Sequence, residues 1–74
     1  MKIYNERIKG LREDKDKTQQ ELAEYLHVAQ NTYSQYENGK REIPIEILIA
    51  LCKFYNVSSD YILGISSQKD NRQK

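Results

Sequence analysis

One cysteine and one histidine stand among 74 residues, too few for an internal disulfide or for a cluster of metal-ligating side chains. Neither a metal nor a cofactor is therefore expected. Long apolar runs are also missing, and no stretch approaches the roughly 18 residues that a membrane helix needs. The opening segment MKIYNERIKG lacks the apolar stretch of a secretory signal, so a cytoplasmic location with no membrane contact is expected. No glycine-rich loop is present to cradle a phosphate, and no Ser/His/Asp grouping suggests a nucleophile. Cys52 falls on an apolar helical stripe, where an inert thiol is the expected reading. His27 falls in a turn with no orienting partner. An enzyme is not expected. Bulk charge is weak as well, at +1, so any phosphate-binding face must come from geometry and helix ends.

What remains is 38% hydrophobic and 31% charged, ordinary for a single small folded domain. Apolar residues recur at helical spacing. Tyr4, Ile8 and Leu11, at i, i+4 and i+7, predict a first helix ending near Lys15. Thr18 and Glu21 form a capping box, opening a second helix that buries Leu22, Ala23 and Leu26. This helix stops at His27, a residue tolerated in the left-handed region. A third helix follows Ala29 and stops at Asn38-Gly39. Pro44 suits the first turn of a fourth, whose inner stripe is read as Ile45, Leu48, Ile49, Cys52 and Tyr55. Asn56 can end it, and Ser58 can cap a last short helix carrying Tyr61, Ile62 and Leu63 before Gly64. The expected architecture is all-α, a five-helix bundle over residues 1–65. A polar tail over 66–74 is expected to be disordered.

The third helix has two unlike faces. Tyr33, Tyr36 and Glu37 share one side, while Gln30, Asn31, Ser34 and Gln35 share the other, with Thr32 on the flank. A solvated helix face usually carries Lys and Glu; this one carries uncharged groups able to donate and accept. Such amides suit base edges, because Gln or Asn can pair bidentately with adenine. A short capped helix, a tight turn and a helix polar on its outer side make a helix-turn-helix pattern.

The segment TQQELAEYLHVAQNTYSQYENGKREIP, with NVSSDYILG after it, resembles the xenobiotic-response-element (XRE) family of helix-turn-helix regulators, which includes phage repressors and Cro. The resemblance implies a lambda-repressor-like DNA-binding domain that meets a two-fold-related operator as a dimer, most simply as a repressor. It assigns base reading to Gln30, Asn31, Ser34 and Gln35, with Thr32 meeting bases or backbone. It assigns backbone binding to Thr18, Gln19, Lys40 and Arg41, and to amides of Asn38 and Gly39. Arg12 and Glu37 match a buried ion pair, which fits the inward turn of Glu37. Tyr33 and Tyr36 match core positions, although a tyrosine hydroxyl could still reach a phosphate. Two positions depart from the family pattern. His27 replaces a turn glycine, and Ala29 replaces a Ser or Thr cap.

Ile47 and Phe54, with Tyr61, Ile62 and Ile65, are the candidate dimer surface, against intramolecular packing around the last helix. With no room here for an effector domain, control is expected through concentration, operator competition or a separate protein. The alternative function is a protein-binding module of the same fold, an antitoxin with its toxin or the target of an antirepressor.

Overall fold

Helix boundaries in this chain are set by caps. The computed structural model describes residues 3–65, and five helices follow one another there: α1 (Ile3–Asp14), α2 (Gln19–Leu26), α3 (Gln30–Glu37), α4 (Ile45–Tyr55) and α5 (Ser59–Leu63). The stretch 66–74, expected to be a disordered tail, lies outside the described residues. At the head of α2 the Thr18 hydroxyl accepts from the Glu21 N–H at 3.1 Å, and the Thr18 N–H donates to the Glu21 carboxylate at 2.8 Å. Ser58 caps α5 in the same manner, accepting from the Tyr61 N–H at 3.1 Å. Ala29 sits in extended backbone before α3 with no side chain to cap it. Pro44 occupies the same place before α4, one residue earlier than the first turn expected for it.

The exits are equally local. His27 (φ 59°) ends α2 in the left-handed region, Asn56 (φ 55°) ends α4, and Gly64 (φ 84°) ends α5. The reversal returns backbone N–H groups to the last carbonyls, with Val28 reaching Ala23 at 3.0 Å and Val57 reaching Cys52 at 3.1 Å, which satisfies acceptors that a helix end would leave open. At Gly64 a side chain would also drive into Ile3.

Packing follows from these short elements. α2 lies against α3, while α1 bridges α3 and α5, and α5 meets α4. Ile8, Leu22, Tyr33, Leu51 and Ile62 are fully buried at the centre, with Leu11, Ala23, Leu26, Tyr36, Tyr55 and Val57 around them. Burying one aliphatic or aromatic side chain in this way stabilises by about 1.5–3 kcal/mol.

Helix α4 is turned partly away from its expected stripe. Leu51 and Tyr55 are buried, and Ile47 and Phe54 pack against the core, whereas Ile45 is 66% and Ile49 is 49% exposed. The inward set 47, 48, 51, 52, 54 and 55 shares Leu48, Cys52 and Tyr55 with the expected stripe, while Ile45 and Ile49 of that stripe turn to solvent. The two charged residues of α4, Glu46 and Lys53, are seven apart on one exposed face, opposite the buried Leu51 and Tyr55. Tertiary packing completes this orientation, with Phe54 seated against the rings of Tyr25 and Tyr55, at 4.6 and 5.0 Å between centroids.

Candidate nucleic-acid interface

The outer face of α3 is held in place by what lies beneath it. Glu37 is 4% exposed, and its two oxygens accept four hydrogen bonds. Arg12 donates through Nε to Oε2 at 2.7 Å and through Nη2 to Oε1 at 3.0 Å. The Tyr33 hydroxyl donates to Oε2 at 2.6 Å, and the Gln19 amide donates to Oε1 at 3.1 Å. A carboxylate has about four acceptor positions, so this one is saturated. Burial pushes the Glu37 carboxyl up, but the bonds from Arg12, Tyr33 and Gln19 outweigh it and hold the group below the usual carboxylate range. The same contact raises Arg12, and burial together with Glu37 raises the Tyr33 phenol. One carboxylate thereby joins α1, α2 and α3. Arg12 also reaches the Lys17 carbonyl through Nη1 at 2.9 Å, closing the loop before α2.

Two side chains that could meet a phosphate take part in this network. The Tyr33 hydroxyl finds its partner in Glu37, because at 0% exposure it has no path to a phosphate. The Gln19 side chain is half-buried and turned to the same carboxylate, which leaves the opening turn of α2 to offer its backbone N–H groups. Thr18 uses its hydroxyl as a cap. The amides of Asn38 and Gly39 are also occupied, donating to the Ser34 and Tyr36 carbonyls at 3.0 and 3.3 Å. The loop continues the helix exit, with Asn38 and Lys40 exposed.

On the other side of α3, Gln30 and Asn31 are exposed, and Thr32, Ser34 and Gln35 are half-buried. None is packed inside. Lys40 and Arg41 are exposed at the end of the helix, where Arg41 Nε donates to Gln35 Oε1 at 2.9 Å. Amide groups and two cations thus share one surface, with the positive end of α2 beside them. Asn5 is a participant that sequence reasoning missed. Its amide donates to the Glu37 carbonyl at 3.1 Å and fastens the start of α1 to the end of α3. No spacing or motif signals it.

Of the candidate dimer surface, Ile62 does not reach solvent. Ile62 is 0% exposed, because α5 is pinned onto α1 and turns this side chain to the core. Ile47 and Phe54 pack against the core, and Tyr61 is half-buried with the Arg7 guanidinium 4.2 Å above its ring. Arg7 further donates to the Tyr61 carbonyl at 2.8 Å. Only Ile65 of that set stays fully open. The exposed apolar face lies instead along Ile45, Ile49, Leu63 and Ile65, bordering a shallow groove lined by Leu48, Cys52 and Val57. Cys52 is half-buried there, and burial raises its thiol pKa. Among the described residues, no group of His, Cys, Asp or Glu is placed to hold a metal ion, and no helix is long and apolar enough to cross a membrane.

Comparison with known proteins gives a consistent result. A helix-turn-helix family model matches residues 8–62. The chain is 35% identical over 68 residues to the uncharacterized HTH-type transcriptional regulator YobD of Bacillus subtilis, covering 92% of this chain and 61% of that protein. It is 41% identical over 58 residues to the HTH-type transcriptional regulator ImmR of the same organism, covering 78% of this chain and 46% of that protein. The chain thus spans about half to three-fifths of the length of these relatives. Among solved structures, the P22 c2 repressor in complex with a synthetic operator superimposes with a TM-score of 0.76 at 32% identity, covering 85% of this chain and 96% of that one.

Proposed function

The chain belongs to the XRE-type helix-turn-helix family, and from that premise we propose that it is a repressor that binds a two-fold-related operator in duplex DNA as a homodimer. The observation that carries this reading is the outer face of α3, where Gln30, Asn31, Ser34 and Gln35 stand on a rigid base formed by Tyr33, Tyr36 and Glu37. Helix α3 enters the major groove, about 12 Å wide, with those side chains at base edges. Thr32 lies on its flank. The first turn of α2, capped by Thr18, faces a phosphate with the N–H groups of Gln19 and Gln20. Lys40 and Arg41 bring charge to the backbone on the other side, with the Asn38 side chain between. A second copy seats on the Ile45, Ile49, Leu63 and Ile65 face, setting two α3 helices about 34–36 Å apart along one side of the duplex.

Selection of bound duplexes from random DNA tests the reading. Two related half-sites about one helical turn apart are expected. Gln30→Ala is expected to flatten the preference at one position of each half-site, a good bidentate base contact being worth about 1–3 kcal/mol. Recovery of duplexes with no common sequence would overturn the proposal. Sedimentation equilibrium tests the dimer, which Ile49→Lys is expected to dissociate.

A further inference from the structure

Of the outward amides of α3, Gln35 is the one gripped by the chain that follows it. After the left-handed turn at Gly39 (φ 75°), the backbone folds back, and the Lys40 and Arg41 N–H groups both donate to the Gln35 carbonyl, at 3.0 and 3.3 Å. Arg41 then donates from Nε to Gln35 Oε1 at 2.9 Å. Main-chain bonds therefore set the register, and the two side chains meet from fixed positions. Chemistry decides which end of the amide takes part. A guanidinium has donors only, so the atom facing it must be the carbonyl oxygen. The Gln35 NH2 group is left pointing away from Arg41.

We propose that Arg41 is a positioning residue for base recognition: by engaging the Gln35 oxygen it turns Gln35 into a hydrogen-bond donor, which selects guanine at the base pair it meets. This rests on the operator-binding reading above. An unrestrained glutamine pairs bidentately with adenine, giving a proton to N7 and accepting one from the N6 amino group. Arg41 takes one of the two lone pairs of that oxygen and fixes the amide plane, so the NH2 group is the end that Gln35 presents to a base. Guanine offers two adjacent acceptors, N7 and O6, against one acceptor on adenine and one on thymine. The free Nη groups of Arg41 add positive charge on the same side, so its loss has two separable effects. One falls on affinity for any DNA, and the other on which base is chosen.

Duplex selection with the intact protein, Gln35→Ala, Arg41→Ala and the double variant separates them. The base pair at which Gln35→Ala loses preference is the one that residue 35 reads, and dissociation constants are then measured on duplexes carrying guanine or adenine there. The intact protein is expected to favour guanine. Arg41→Ala is expected to weaken binding to both duplexes and, in addition, to move their ratio toward adenine by about fivefold or more. In the Gln35→Ala background, removing Arg41 is expected to weaken binding while leaving the ratio unchanged. A preference for adenine in the intact protein, or a ratio that Arg41→Ala leaves unmoved, overturns the proposal while sequence-specific binding survives. Absence of any enriched sequence with the intact protein overturns the operator reading itself.

Discussion

Helices α3 and α4 solve opposite problems. Over 8 residues, α3 buries Tyr33, Tyr36 and Glu37 and turns amides outward. Over 11 residues, α4 is apolar nearly all round, buries Leu51 and Tyr55, and leaves Ile45 and Ile49 in solvent. The first is oriented by polar bonds with fixed partners; the second is oriented by apolar packing, with Glu46 and Lys53 turned to solvent on the opposite side. Polar groups specify an angle of rotation because each must find its counterpart, whereas apolar area is indifferent to which side of a greasy helix is covered.

The sharpest way to break that contrast is to remove the partner that orients α3. Arg12→Ala strands a buried carboxylate and is expected to cost about 3–5 kcal/mol, a large part of the stability of a domain this size, as read from urea denaturation. An unchanged midpoint would mean that Glu37 does not depend on the pair. Acid should probe the same centre. The folded pKa of Glu37 is lowered, so the unfolded chain takes up the proton first. The stability it contributes is full above the ordinary carboxylate value of about 4.3 and is lost as pH falls through the folded value. Melting temperature against pH is expected to drop in that window, and Glu37→Gln is expected to remove its share of the drop.

For α4 the expected pattern is a difference between sides. Leu51→Ala is expected to cost about 2–5 kcal/mol, whereas Ile45→Ala is expected to stay within about 0.5 kcal/mol in dilute protein. Equal losses would mean that the helix has no preferred buried side. The smallest effect concerns the entry of α3. Ala29 already has cap-like backbone, φ −67° and ψ 147°, without a capping side chain. Ala29→Ser is expected to add about 1 kcal/mol, seen as a raised melting temperature.

These two helices also mark where the sequence could be read and where it could not. Thr18 with Glu21, His27, Asn56 and Ser58 are local devices, each acting within about one turn, so their spacing was enough. The inward turn of Glu37 followed from helical periodicity because a charged residue shared a face with two tyrosines; its pairing with Arg12 came from family resemblance. Along α4 the expected stripe holds at Leu48, Cys52 and Tyr55 and fails at Ile45 and Ile49, which lie beside the exposed charged pair Glu46 and Lys53. The partners of Gln19, Asn5 and Gln35 lie 18, 32 and 6 residues away. A long flexible amide reveals nothing of such a choice until the backbone around it is in place.

The saturation of Glu37 bears on how fast a target is engaged. With all its acceptor positions occupied in the unbound molecule, α3 has little freedom to roll about its own axis. Docking onto a duplex then requires only the settling of surface side chains, and the entropy of fixing the helix is already spent during folding. Encounter, rather than internal rearrangement, would set the pace of association.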